Sequence, residues 1–140
     1  MSVLLDTGDN PTHRTKILKK ATRYLEQHHN CKTLFACSDK TRTRFSYKIQ
    51  DPNGNKFYLV ARSTPAYKGL VSIQDWLIKR ADREKNMIIM YMDNQFLLLD
   101  PKQILKQSIG TNERYGELMN NFPASLGLPM RFWSVELNQP

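Results

Sequence analysis

Two runs in the first half of the chain alternate between core-type and polar residues. In residues 41–50, Thr43, Phe45, Tyr47 and Ile49 alternate with Arg42, Arg44, Ser46, Lys48 and Gln50. In residues 56–63, Phe57, Leu59, Ala61 and Ser63 alternate with Lys56, Tyr58, Val60 and Arg62. A period of two sends alternate side chains to opposite faces, so both runs predict half-buried strands. The connection Asp51-Pro52-Asn53-Gly54-Asn55 is made of turn formers and joins them into a hairpin. With Gln50 opposite Lys56, Lys48 faces Tyr58, Ser46 faces Val60 and Arg44 faces Arg62. The hairpin is expected to carry one oily face and one basic face.

Helical spacing appears on either side of this hairpin. Asn10 and Pro11 supply an N-cap and a proline at the first helical position, and a helix is predicted over 11–28. Its stripe is Ile17, Leu18, Ala21, Tyr24, Leu25 and His28, with Lys16, Lys19, Lys20 and Arg23 on the other side. A short apolar strand is predicted over 32–37. After a loop around Pro65 and Gly69, Ser72 followed by Asp75 looks like a capping box opening a second helix, with Ile73, Trp76, Leu77 and Ala81 facing the core. The nearly continuous run from Met87 to Met92 predicts a central strand covered on both faces. A strand over 96–99 and a helix over 101–108, capped by Asp100, follow. Beyond Gly110 the periodicity fades, and the bulky residues Phe122, Leu126, Leu128, Phe132 and Trp133 are expected to pack as an irregular cover.

Charge sharpens this picture. The 140 residues hold 21 Lys plus Arg against 13 Asp plus Glu, a net +8, so attraction to polyanions is expected whatever the fold. The length fits one domain over 1–140, with a loose terminus at 1–9, a core at 11–108 and an extension at 111–140. There is no secretory leader and no stretch of about eighteen apolar residues, so no membrane role is expected. The two cysteines, Cys31 and Cys37, suit a reducing cytoplasm, or a host's cytoplasm for a viral chain. His28, His29, Cys31 and Cys37 offer zinc-type ligands, but their spacing fits no familiar zinc motif. A helix end with histidines near its C-terminal dipole is the plainer account, and no metal site is assigned.

The hairpin directs the functional reading. Arg44 opposite Arg62 is an unfavourable pairing unless an anion meets it, and Tyr58 among the cations offers a stacking surface. A solvated edge hairpin kept soluble by its charges is the alternative. No Walker loop, G-x-S-x-G elbow, H-E-x-x-H or C-x-x-C is present. His13 beside Arg14 is the one candidate for a metal-free phosphodiesterase, far from the other histidines.

The element order, helix, strand, hairpin, helix, strand, resembles the αβββαβ core of the PD-(D/E)XK, or restriction-endonuclease-like, nuclease superfamily, which includes archaeal Holliday-junction resolvases and viral nucleases. The resemblance covers about residues 11–108 and implies an α/β fold with a mixed sheet flanked by helices. In that family carboxylates on the second and third strands hold Mg²⁺, and a Lys two residues after the last acid helps position water. The third-strand triplet falls on Val60-Ala61-Arg62, which lacks both the carboxylate and the lysine. Arginine is a poor general base but clamps phosphate well.

The resemblance therefore implies a degenerate nuclease scaffold that binds nucleic acid, DNA in the first instance. Arg42, Arg44, Lys48, Lys56, Tyr58 and Arg62 form the expected face, supported by Lys16, Lys20 and Arg23. Such a binder needs no cofactor. The first alternative is a Mg²⁺-dependent endonuclease or resolvase with relocated acids, for which Glu26, Asp39 and Asp75 are the candidates. The second is a protein-interaction or structural module. Two-fold dimers are common for nuclease-like folds, and Phe132 and Trp133 are the apolar residues to inspect for a homodimer interface.

Overall fold

The fold is taken from a computed structural model, which describes residues 13–39, 45–62, 69–92, 94–114 and 117–129. The expected loose terminus, the Asn10 and Pro11 cap, Arg42 and Arg44, the 63–68 loop, and Phe132 with Trp133 lie outside these residues.

The described elements run α1 (His13–His29), β1 (Lys32–Ser38), β2 (Phe45–Gln50), β3 (Lys56–Arg62), β4 (Leu70–Gln74), α2 (Asp75–Glu84), β5 (Met87–Met92), β6 (Gln95–Leu99), α3 (Pro101–Gln107), β7 (Gly110–Arg114), β8 (Glu117–Pro123) and β9 (Leu128–Pro129). A six-stranded mixed sheet has the order β1-β2-β3-β5-β6-β9, antiparallel throughout except where β3 runs parallel to β5. The crossover between those two strands carries α2, as a parallel pair requires. The expected αβββαβ order is present, with β4 inserted before α2.

Local chemistry sets the boundaries. Asn30 adopts a left-handed φ of 54° after α1, and the Cys31 amide reaches back to the Leu25 carbonyl at 3.2 Å, closing the helix. The Asp51 carboxylate accepts from the Asn53 and Asn55 amides at 2.9 and 2.8 Å, and Gly54 supplies a φ of 90°. The hairpin register is as expected, with Gln50 opposite Lys56 and Lys48 opposite Tyr58. Asp100 caps α3 by accepting from the Lys102 amide at 3.0 Å.

Strand alternation feeds two cores, one on each side of the large sheet. Tyr47, Ile49, Phe57, Leu59, Ala61 and Ile89 point toward α1, where Leu18, Ala21 and Leu25 meet them. Tyr58, Val60, Ile88, Met90 and Leu99 point the other way, into Leu77, Ile78 and Ala81 of α2, Ile104 of α3, and Val71, Ile73 and Phe122 of the smaller sheet.

Three expectations are corrected. The basic hairpin face is not open at Ser46, Lys48, Tyr58 and Val60, all of which are buried. Helix α2 returns across that face, because a strand joined to its parallel neighbour must be covered by its own crossover. Ser72 does not cap α2: it lies inside β4, and the helix starts at Asp75 after an extended Gln74 that makes no side-chain cap. The region after Gly110 is not an irregular cover as far as Pro129, since β7 and β8 pair with each other and with β4 in an antiparallel sheet of order β4-β8-β7.

The return from β8 to β9 passes tightly over β6. A Cβ on Gly127 would stand 3.0 Å from Leu97 Cβ and 3.3 Å from Leu99 Cδ2. Gly127→Ala is therefore expected to cost about 1 kcal/mol of stability, since leucine side chains on a paired strand must give way. Urea unfolding checks this, and an unchanged midpoint would show that β6 yields freely.

Candidate nucleic-acid interface

The residues expected to form the basic face are distributed differently by the fold. Lys48 is 6 % exposed, and its ammonium pairs with Glu84 at 2.6 Å and lies 3.3 Å from the Tyr58 hydroxyl. Tyr58 in turn donates to the same Glu84 oxygen at 2.5 Å, and Arg80 reaches the other oxygen at 3.3 Å. Burial works against ionisation of Glu84. The bonds from Lys48 and Tyr58 outweigh it and hold the carboxyl down at about 2. Burial, and then the bond to that carboxylate, raises the Tyr58 phenol. Lys48 and Tyr58 thus belong to an internal polar network under the end of α2, and neither presents a surface for a ligand.

Arg62 also serves the fold. Its Nε and Nη2 donate to the Ser72 carbonyl at 2.8 and 2.6 Å, and Nη1 to its own neighbour's carbonyl, Ala61, at 2.7 Å. These bonds strap the end of β3 to β4. Lys56 is exposed at the start of β3, beside a hollow of about 640 Å³ that it shares with Lys85 and with the paired Lys48 and Glu84.

The three candidate carboxylates do not converge. Glu26 accepts from Thr33 Oγ1 at 2.7 Å near the start of β1. Asp39 is buried past the other end of that strand, within 3.4 Å of Gln74 Nε2. At the rise of a β-strand those ends are about 20 Å apart. Asp75 is held by Asn120 Nδ2 at 2.9 Å and Lys79 at 2.8 Å. Among the described residues no group of three or more His, Cys, Asp or Glu side chains is placed to hold a metal ion. Burial keeps both thiols protonated at neutral pH, with Cys31 pushed up to about 12.

A different surface collects positive charge. Helix α1 lies chiefly over β3, so the α1-side face of β5 and β6 extends past the helix, and Tyr91 and Phe96 there are only half-buried. The step from helix to strand forms a groove of about 570 Å³ lined by Lys16, Lys19, Lys20, Arg23, Tyr24 and Phe96, among others. That size is within the range of about 300–1,000 Å³ usual for ligand sites. Lys16, Lys20 and Tyr24 fall in one row at four-residue spacing, and Lys19 and Arg23 in the next. Tyr24, 45 % exposed, stands over Phe96 with ring centres 5.6 Å apart and planes within 28° of parallel. Tyr91 continues the aromatic floor 4.8 Å beyond Phe96. Among the described residues no carboxylate lines this groove.

The sequence pattern had marked Lys16, Lys20 and Arg23 as a supporting face but gave no sign of Tyr91 and Phe96 beside them. Nearly seventy positions separate Tyr24 from Tyr91, and only the sheet order brings them together. Glu84 was missed for the same reason. The signal for it was present in part, because a Lys opposite a Tyr under an amphipathic helix calls for a carboxylate.

No helix among the described residues is long and apolar enough to cross a membrane. No protein-family model matches the chain, and no curated protein matches it. Among solved structures it is similar to that of a nuclease from a fusselovirus, at 13 % sequence identity and a TM-score of 0.42, over 87 % of this chain and 85 % of that one.

Proposed function

We propose that this protein binds nucleic acid through the groove between α1 and the β5–β6 hairpin. One observation carries the proposal: four cationic side chains line a groove that has an aromatic floor and, among the described residues, no carboxylate. A row of cations attracts any anion, but paired with aromatic rings it suits a ligand whose charges repeat alongside flat faces, which is the chemistry of a polynucleotide. The net charge of +8 adds a long-range attraction. Lys56, expected on the hairpin face, lines a separate hollow with Lys85 and is not part of this groove.

The binding mode predicts a salt dependence. The stretch of α1 from Lys16 to Arg23 is about 10 Å long and spans roughly three phosphates at the spacing of one strand. Counterion release from three phosphates gives log K a slope against log salt of about −2 for single strands and slightly steeper for duplex. The experiment is a fluorescence-anisotropy titration of labelled DNA at a series of salt concentrations. A slope near zero, or no binding at low salt, defeats the proposal. Parallel reactions with Mg²⁺, Mn²⁺ and chelator address the endonuclease alternative with Glu26, Asp39 and Asp75, in which Glu26 and Asp39, near opposite ends of β1, could not share one ion. Cleavage that disappears in chelator would establish that alternative.

A further inference from the structure

We infer that the ligand of this groove is single-stranded nucleic acid, with unpaired bases stacked on Tyr24, which Phe96 backs from below, and on Tyr91, while Lys16, Lys20 and Arg23 hold the adjoining phosphates; this inference rests on the nucleic-acid reading above. In a duplex the faces of the bases are already stacked on one another, and a protein reaches only base edges, sugars and phosphates. A row of cations alone would serve that backbone. The rings here are set on the floor beside the cationic wall, where a duplex backbone resting on α1 has no π-face to offer them. A single strand presents both groups at once: its phosphates follow the wall and its bases turn inward.

The ring arrangement fits this placement. Tyr24 is stacked on Phe96 with planes within 28° of parallel, and Tyr91 lies 4.8 Å from Phe96 at 52° to it, so Phe96 backs Tyr24 while Tyr24 and Tyr91 offer the two aromatic surfaces of the groove. Tyr91 is fixed by its hydroxyl, 3.2 Å from Asn94 Oδ1, and Asn94 also borders the groove. Every base has a π-face, so stacking of this kind is tolerant of sequence. The groove is accordingly assigned a preference for strand state over sequence.

The test compares three probes of equal length, about 12 nucleotides: an oligo-dT strand, its duplex with oligo-dA, and an abasic strand that keeps the phosphates but has no bases. Oligo-dT is expected to bind at least about tenfold more tightly than either of the others. Tyr24→Leu removes the exposed ring that stands over Phe96, and Tyr91→Leu removes a ring at the far end of the floor. Each is expected to weaken oligo-dT binding about tenfold and to leave the duplex and abasic probes unchanged. Circular dichroism and the unfolding midpoint confirm that both variants are folded, and if one is not, the other carries the test. Equal affinity for all three probes, or equal weakening across them in the variants, overturns the inference while leaving nucleic-acid binding in place. Failure of every probe to bind overturns both.

Discussion

Reversing Lys16, Lys20 and Arg23 together to Glu is expected to weaken DNA binding roughly a hundredfold or more at about 0.1 M salt. Each phosphate neutralised on a single strand releases about 0.7 counterion, which is worth about 1 kcal/mol at that salt concentration. Removing three cations from three phosphates accounts for the hundredfold, and the repulsion of three new carboxylates adds to it. The salt slope should fall toward zero in the same variant, because the released counterions are what the slope counts. The fold should be unaffected. All three side chains are exposed, and exposed substitutions of this kind usually change stability by less than about 0.5 kcal/mol. A carboxylate at position 16 also lies in the N-terminal part of α1, where the helix dipole favours negative charge. Anisotropy titrations of the variant against the unaltered protein decide the matter. Unchanged affinity with an intact fold would remove the α1 groove as the binding surface.

The second large effect belongs to the interior. Glu84→Gln is expected to lower stability by about 2–4 kcal/mol, somewhat below the figure for a fully buried pair because Glu84 is partly exposed. The loss arises at Lys48. Its ammonium is buried between β2 and α2, its paired carboxylate is Glu84, and an amide there leaves the charge without that compensation. Lys48→Met added to Glu84→Gln should recover most of the loss, because a buried ion pair replaced by apolar packing is often neutral. Urea unfolding of the single and double variants measures this. If the double variant is as unstable as the single one, the cost lies in the Tyr58 and Arg80 bonds to Glu84.

The same network sets an acid limit. The Glu84 carboxyl is held at about 2 when folded, below its ordinary 4.5. A depressed carboxylate stabilises the native state fully above the ordinary value, and that contribution is lost as pH falls from about 4.5 through about 2. Glu84→Gln should therefore flatten the stability profile across that window.

Elements with a local signal were legible along the chain. The turn at Asp51 to Asn55, the hairpin register, the central strand from Met87, and the capped helix at Pro101 follow from side chains within a few positions of one another. The order of these elements was enough to place the fold in an α/β class with a mixed sheet. The basic character of the chain and the cationic side of α1 were equally plain from residue order alone.

Which faces water reaches was settled by packing. The alternation in β2 and β3 is real, but alternation only says that two faces differ. Val60 and Tyr58 among the charges of that face were the visible hint of burial, because a strand flanked on both sides by other strands and covered by a crossover helix keeps few polar side chains. Once α2 covered it, Lys48 became part of the interior and needed Glu84. The sheet order then left β5 and β6 extending beyond α1 and joined rings at positions 24, 91 and 96 to the lysines of the helix. Non-local pairing of this kind leaves no periodic trace in a sequence, so the basic hairpin was legible and the groove was not.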